Sequence, residues 1–291
     1  MKRYFLPVLG ALLFVSQLAT AQDTQVKKPE PPALGLHWAK GAAHVAGAHR
    51  SSANMTWHNG AIINSSAVTA IYWGTSWTLS DPKISGLDTY YLGFTNSNYA
   101  KTSDEYTGTN GKIGPSNSYG GHVVDTTAAS GGGSTSAILA EVCKVIASPA
   151  SNGYYPVYTD LPRGNSNYCA YHSFGSCGST PVQFAFFWKL DGDPGCDPQD
   201  TQTGHPQGLA ALANVSGHEF SEERTDPRNG GWYDSRGQEN GDKCAWTFNV
   251  PYVTFSNGSI WKIQGEWSNA AFTAGTGYPN SAGQRGCLDG H

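Results

Sequence analysis

The residues best suited to chemistry lie in one short stretch, 217–227, with the sequence GHEFSEERTDP. On a helix, His218 and Glu222 are four residues apart and lie on one face as neighbours. An imidazole nitrogen and a carboxylate oxygen can both bind a divalent ion. Glu219 occupies the position of the general base in the His-Glu-x-x-His motif of zinc peptidases, and Glu222 replaces the second histidine. The stretch therefore predicts a metal site, with zinc as the expected ion.

The loop that follows, residues 232–244, is expected to supply a further ligand. It contains Asp234, Glu239 and Asp242 among glycines, next to a cysteine that can hold the loop in place. We expect Glu239 or Asp242 to complete the ligand set, as a distant third ligand does in zinc peptidases. Crowded carboxylates repel one another unless an ion or a nearby arginine balances them, which favours an ion. Two alternatives are an acidic helix end that faces solvent and a calcium-stabilised loop without catalysis.

His172 ends a run of aromatic and small residues, 168–172, and has more than one interpretation. One interpretation is a role at the site, either as a catalytic hydrogen-bond donor or as a further metal ligand. The alternative is a structural histidine packed beside a disulfide. His37, His122 and His205 have no partner that the sequence reveals, so surface or core positions are expected for them. A Gly-x-Ser-x-Gly motif is absent from the sequence, which leaves a serine hydrolase without support.

The stretch with His218 belongs to a predicted helix over residues 207–225. Apolar and small residues recur there at helical spacing, and Pro227 ends the helix soon after Thr225. The residues expected on its buried side are Leu209, Leu212, Ala213, Ser216 and Phe220. A second apolar stripe predicts a helix over 135–147, capped by Ser134 or Thr135. A shorter helix is predicted from Pro82, because proline suits the first helical position.

Four segments are typical of β-strands. Ala67–Trp73 is rich in β-branched and aromatic residues, and 182–188 is so hydrophobic that we expect it to be buried on both faces. Segments 121–126 and 154–159 are weaker, and Pro156 indicates a strand at the sheet edge. Helices and strands intermix without strict alternation. The sequence therefore predicts a loop-rich α+β domain with a mixed sheet and a zincin-like active-site helix.

The N-terminus predicts export. Two basic residues, an apolar stretch over 4–18 and the small residues of Ala19-Thr20-Ala21 form the three parts of a signal peptide, which we expect to be residues 1–21. Residues 22–50, rich in proline and then in alanine, glycine and histidine, are predicted to be a linker or pro-segment. Residues 51–291 are predicted to be one metal-binding domain. The protein is therefore expected to be secreted, extracellular or periplasmic, without a membrane span.

Composition agrees with that location. The six cysteines are even in number, which favours disulfides in an oxidising compartment. Proximity along the chain suggests that Cys169 pairs with Cys177 and Cys244 with Cys287. The formal net charge of −4 argues against a nucleic-acid partner, which would require a basic face.

Several motifs together resemble the EXORDIUM / phosphate-induced protein family. They are Tyr72-Trp73-Gly74, Tyr168-Cys169-Ala170-Tyr171-His172, His218-Glu219-x-x-Glu222, Trp232-Tyr233-Asp234, Gly237-x-Glu239-x-x-Asp242-x-Cys244 and Gln264-Gly265-Glu266-Trp267-Ser268-Asn269. The resemblance runs in motif order from about residue 67 to residue 287. It implies kinship with plant cell-wall proteins that promote growth and with their secreted bacterial relatives.

Two functions are consistent with these residues. In the first, a metal-dependent peptidase, Glu219 takes a proton from the water that attacks a peptide carbonyl of an extracellular peptide or protein. In the second, a non-catalytic protein binds a cell-wall or matrix component, and the ion is a structural clamp. The presence of Glu219 favours the enzyme, because a purely structural site does not need a general base.

Overall fold

The computed structural model describes residues 1–2, 30–42 and 53–291, so all but the first two residues of the predicted signal peptide over 1–21, and much of the predicted linker, lie outside the described residues. The strands are β1 (Leu34–Trp38), β2 (Thr56–Trp57), β3 (Ala67–Trp73), β4 (Thr107–Gly108), β5 (Gly111–Lys112), β6 (Ser118–Asp125), β7 (Gly153–Pro162), β8 (Tyr168–Cys177), β9 (Thr180–Lys189), β10 (Trp232–Tyr233), β11 (Val253–Thr254), β12 (Ile260–Trp261), β13 (Glu266–Trp267), β14 (Tyr278–Pro279) and β15 (Arg285–Leu288). The helices are α1 (Pro82–Phe94), α2 (Thr135–Val145), α3 (Gln207–Thr225) and α4 (Asn269–Ala274), with short 3-10 turns at Ala100–Ser103 and Asp242–Cys244.

A mixed sheet of six strands organises the fold, in the order β1-β8-β9-β7-β3-β6. β9, β7, β3 and β6 are parallel to one another, whereas β8 is antiparallel to β9, and β1 is antiparallel to β8. The predicted α+β domain with a mixed sheet is therefore confirmed. β9 is buried along nearly its whole length, as its hydrophobic run predicted, because it lies inside the sheet with neighbours on both sides.

The prediction that Pro156 marks a sheet edge is wrong. β7 lies between β9 and β3, and Pro156 is paired with Ala185 in the interior of the sheet. A proline removes one backbone donor from the ladder. The buried aromatic and aliphatic side chains around it, such as Tyr154 and Val157, outweigh that loss because both are fully removed from solvent.

The helix α3 begins and ends where its sequence pattern predicts, at Gln207 and Thr225. The expectation of a single buried side is incomplete, because every residue after Gln207 is buried. The helix contacts β8, β9 and β1 of the sheet and also α1. Its polar residues therefore face protein rather than water, and each one needs a partner or a ligand.

The folded domain starts earlier than residue 51. β1 lies within the segment predicted to be a linker, and it pairs with β8, with Leu34 opposite His172 and His37 opposite Ala170. The linker prediction is therefore wrong for Leu34–Trp38. A five-residue strand with glycine at its second position carries too weak a local pattern to be recognised, and its pairing with β8 stabilises it.

Three disulfides are present: Cys143–Cys177, Cys169–Cys196 and Cys244–Cys287. The predicted Cys244–Cys287 pair is confirmed. The predicted Cys169–Cys177 pair is wrong, because both residues lie on β8, where eight residues of extended chain span about 26 Å. All six cysteines are paired, which agrees with an extracellular location. Among the described residues, no helix combines the length and the apolar character that a membrane crossing requires.

Candidate metal centre

Four ionisable residues crowd two turns of α3: His218, Glu219, Glu222 and Glu223, all with no exposed surface. They are held there because α3 is enclosed by the sheet on one side and by the loops after β10 and β12 on the other. His172 projects toward them from β8, and its ring also has no exposed surface. The structure therefore brings together the helix stretch and the histidine that the sequence identified separately.

The first group of potential ligands consists of His218, Glu222 and Asp242. The His218 Nε2 atom lies 3.2 Å from Glu222 Oε1 and 3.8 Å from Asp242 Oδ1. The backbone N–H of Asp242 donates to Glu222 Oε1 at 2.8 Å, which fixes the loop against the helix. The Cys244–Cys287 disulfide lies two residues further along, so the loop is held close to α3 as predicted.

The second group consists of His172, Glu222 and Glu239. The His172 Nε2 atom lies 3.1 Å from Glu239 Oε1 and 3.9 Å from Glu222 Oε2. The other ring nitrogen, Nδ1, lies 3.1 Å from Glu223 Oε2. The sequence predicted that either Glu239 or Asp242 completes one set; the structure places one of them in each group, and Glu222 in both.

Ligand-to-ligand distances test whether these groups suit an ion. Two ligand atoms bound tetrahedrally at about 2.1 Å from zinc lie about 3.4 Å apart. The four N···O distances given above run from 3.1 to 3.9 Å and bracket that value. Three atoms of these groups have no hydrogen-bond partner among the described residues: His218 Nε2, Glu222 Oε2 and Glu239 Oε2. Buried and unpaired, they are costly to the fold unless a ligand satisfies them.

The ring of His218 is positioned by residues that the sequence did not identify. Gln264 places its Nε2 atom 3.0 Å from His218 Nδ1 and donates from the same atom to the Gly241 carbonyl at 2.9 Å. Its Oε1 atom lies 3.0 Å from His37 Nε2. The His37 ring also packs edge-on against the His218 ring, with centroids 4.2 Å apart. His37 is thus a buried part of the centre's support.

β1 passes so close to the centre that only glycine fits at one point. Gly35 has φ of +47°, and a Cβ atom there would lie 2.7 Å from His172 Nε2 and closer still to Glu222 Oε2. Gly241 is similarly tight on the opposite side, where a Cβ atom would lie 2.7 Å from His218 Nδ1. Backbone therefore closes over the side chains from two directions. A cavity of about 440 Å³, lined in part by Leu34, Glu239 and Asp242, adjoins the centre.

Burial controls the protonation of the carboxylates. Loss of hydration raises the pKa of Glu222 to about 7, and loss of hydration together with repulsion from Glu222 raises the pKa of Asp242 to about 7. Burial raises the pKa of Glu223 to about 8, and it raises the pKa of Glu239 well above its usual range. In the ion-free protein these groups hold protons at a pH where carboxylates are normally ionised.

The two histidines shift in opposite directions. Burial lowers the pKa of His218 to about 4, so this ring is neutral and able to bind an ion at neutral pH. Burial opposes the charged form of His172 as well, but Glu239 and Glu223 outweigh it and raise its pKa well above 6.5. Without an ion, His172 thus holds its proton more tightly than a free imidazole does, and its charge offsets a neighbouring carboxylate that stays ionised.

Glu219 belongs to neither ligand group. It is wholly buried, and neither of its carboxylate oxygens finds a hydrogen-bond partner in the part of the chain that the structure describes. Burial and then repulsion from Glu222 raise its pKa well above the usual range. A buried carboxyl group beside the ligands, with no structural bond to make, is compatible with the role of a general base.

Other residues from the sequence analysis have structural roles. Asp234 accepts backbone N–H groups of Arg236 and Gln238 and forms an ion pair with Lys243 at 3.2 Å, so it shapes the loop. Arg224 donates to the carbonyls of Ala100 and Gly114 and so turns away from the ligand groups. Sequence reasoning also missed Glu223, although it lies one residue beyond Glu222 in the same acidic run.

Comparisons with protein-family models, with curated proteins and with solved structures find no match to this chain.

Proposed function

We propose that this protein is a secreted metal-binding protein whose buried centre holds a divalent ion between His218, Glu222 and Asp242. The observation that carries the proposal is the convergence of unpaired, buried ligand atoms at ligand-to-ligand distances. Burying His218 Nε2 and Glu222 Oε2 without hydrogen-bond partners is costly to the fold. A cation satisfies them together.

The donor set favours zinc. One imidazole nitrogen and two carboxylates form a mixed nitrogen and oxygen set, and imidazole suits zinc better than calcium, which prefers six to eight oxygen ligands. The ring of His218 is already neutral at neutral pH, so binding an ion does not require it to lose a positive charge. Calcium is the alternative ion, and it would depend on the carboxylates more than on His218.

Metal analysis of purified protein tests the proposal. Wild-type protein, treated with chelator and then dialysed against zinc, should retain zinc after removal of excess ion. His218→Ala and Glu222→Ala should each lose the ion bound at His218, and both should show a smaller zinc-dependent rise in melting temperature than the wild type. His122→Ala is the matched control, because His122 lies on β6, at the opposite edge of the sheet from β1, and pairs with Asp88 of α1. Undiminished zinc content in both variants would show that the ion binds elsewhere.

A second candidate function is hydrolysis of peptides, and Glu219 favours it. A bound divalent ion supplies Lewis acidity and makes water easier to deprotonate. Glu219 would hold the proton from that water and pass it to the leaving amine, and a nearby cation would lower its raised pKa. The role that the sequence suggested for His172, a hydrogen bond to the substrate carbonyl, would require one of its ring nitrogens to leave Glu223 or Glu239. The cavity beside Glu239 and Asp242 is the space available to an extracellular peptide.

Replacement of one residue separates the enzyme from a metal clamp. Glu219→Gln should reduce the rate of cleavage of a peptide library and of denatured proteins by about 100- to 10,000-fold. The zinc content of the variant should be unchanged. Glu141→Gln is the matched control, because Glu141 is a buried helical carboxylate on α2, paired with Lys144. If zinc-loaded wild type cleaves nothing, hydrolysis is ruled out and the metal clamp remains, for which a wall or matrix component is the partner that we propose. The resemblance of the motifs to the EXORDIUM / phosphate-induced protein family would agree with such a partner.

A further inference from the structure

We propose that the centre binds two divalent ions, with Glu222 as the carboxylate that bridges them. The second ion would lie between His172, Glu222 and Glu239. This inference rests on the proposed metal-binding function and extends it, because the sequence predicted a single ion at His218. The starting observation is that the two ligand groups share one residue, Glu222, and no other.

The orientation of the His172 ring is that of a metal ligand. A histidine that binds an ion through one nitrogen commonly donates its other N–H to a carboxylate, which fixes the ring and makes it a stronger ligand. His172 meets this requirement, since Nδ1 lies 3.1 Å from Glu223 Oε2 while Nε2 faces Glu239 and Glu222. At His218, by contrast, the Gln264 amide nitrogen faces Nδ1, and this group is a donor rather than an acceptor. On this criterion the second group is better supported than the one that the sequence identified.

The carboxylate of Glu222 points one oxygen at each group. Its Oε1 atom lies 3.2 Å from His218 Nε2, and its Oε2 atom lies 3.9 Å from His172 Nε2. Oε2 has no hydrogen-bond partner within the described chain, although it is fully buried. A carboxylate that uses both oxygens in this way holds two ions about 3.5–4 Å apart, the spacing of two-metal hydrolytic sites.

The balance of charge also suits two ions. Glu219, Glu222, Glu223, Glu239 and Asp242 carry five negative charges when all are ionised, and two divalent ions supply four positive charges. One ion would leave an excess of three negative charges in a site removed from water, unless protons or a charged His172 supplied the difference. Arg224 does not contribute, because its guanidinium group donates to backbone carbonyls.

The competing arrangement contains one ion and a protonated His172. In that case both ring nitrogens donate to carboxylates, Nδ1 to Glu223 and Nε2 to Glu239, and the second site needs no metal. This arrangement describes the ion-free protein, in which Glu239 and Glu223 raise the pKa of His172. It leaves Glu222 Oε2 and Glu239 Oε2 unpaired, however, and an ion satisfies both.

Stoichiometry distinguishes these arrangements. Full-length protein treated with chelator should bind two zinc ions per chain at saturation in equilibrium dialysis. His172→Gln and Glu239→Gln should each bind one, and Glu141→Gln, a buried carboxylate on α2, should still bind two. The two variants alter different elements, β8 and the loop after β10, so failure of one to fold leaves the other as the test. Wild type loaded with Mn²⁺ should show the spectrum of a spin-coupled pair in electron paramagnetic resonance.

Each outcome supports or overturns the second ion. Two ions in wild type, one in either variant and a coupled manganese spectrum support it. One ion in saturated wild type overturns it and leaves the proposed metal-binding function intact. Two ions in wild type that both variants retain overturn the assignment to His172 and Glu239. No ion in wild type overturns the second ion and the proposed function together.

Discussion

The contact between β1 and the metal centre makes a specific prediction for Gly35→Ala. The new Cβ atom would lie 2.5 Å from His172 Cδ2, whereas ordinary carbon contacts are about 3.5 Å, so β1 or the ring must move by about 1 Å. Overpacking of this kind costs about 1–3 kcal/mol. The positive φ of Gly35 adds about 1–2 kcal/mol for any residue with a Cβ atom.

Gly41→Ala separates these two contributions. Gly41 also has a positive φ, +73°, but a Cβ atom there meets nothing within 4 Å. Gly41→Ala should therefore show the backbone cost alone, and Gly35→Ala should be less stable than it by about 1–3 kcal/mol in denaturant unfolding. Gly35→Ala should also weaken zinc binding, because the displaced His172 and Glu222 lose their geometry. Equal stability and equal zinc affinity of the two variants would refute the close approach of β1 to the centre.

Three further predictions concern protonation, the support of His218 and the disulfides. Folding raises the pKa of Glu222 from 4.5 to about 7, and it raises the pKa of Asp242 to about 7 and that of Glu223 to about 8. Each of these groups loses stability as pH rises through this range, about 3 kcal/mol for Glu222, whereas the lowered pKa of His218 contributes about 3 kcal/mol in the opposite direction between pH 4 and 6.5. Ion-free protein should therefore show a net loss of stability in thermal melts as pH rises from about 4.5 to 8, and zinc should restore stability at pH 8. A melting temperature of ion-free protein that rises over this range would contradict it. Gln264→Ala removes the amide that contacts both His218 Nδ1 and the Gly241 carbonyl, and it should weaken zinc binding about 10-fold in competition with a chromophoric chelator; unchanged affinity would count against a supporting role for Gln264. Thiol titration of denatured, non-reduced protein should find no free thiol, and one or more per chain would contradict the three disulfides.

The elements that carry the centre could be predicted because local patterns specify them. α3 has apolar residues at helical spacing and a proline after its end, and β9 has an unbroken hydrophobic run. Both elements can therefore be predicted from their own residues, without knowledge of the elements that pack against them. β1 could not be predicted, since its five residues form a strand only through pairing with β8. The prediction of a sheet edge at Pro156 failed for a related reason. Burial between two strands overrides the preference of proline for sheet edges.

The sequence allows the residues of the site to be predicted, but not the way in which they are arranged in space. The spacing of His218 and Glu222 was visible on a helix, and the following loop was a clear source of carboxylates. The division of Glu239 and Asp242 between two groups depends on how that loop folds back, which the backbone bond from Asp242 to Glu222 and the Cys244–Cys287 disulfide determine. These contacts are long-range in sequence, and no local pattern encodes them.

The most direct test is anomalous diffraction from crystals of the chelator-treated protein soaked in zinc, recorded on both sides of the zinc absorption edge. The proposed function predicts an anomalous peak about 2.0–2.2 Å from His218 Nε2 and from a carboxylate oxygen of Glu222, in contact with Asp242. Absence of a peak at this position in crystals that diffract well enough to show the His218 ring, or a peak found only at surface residues, would contradict the account.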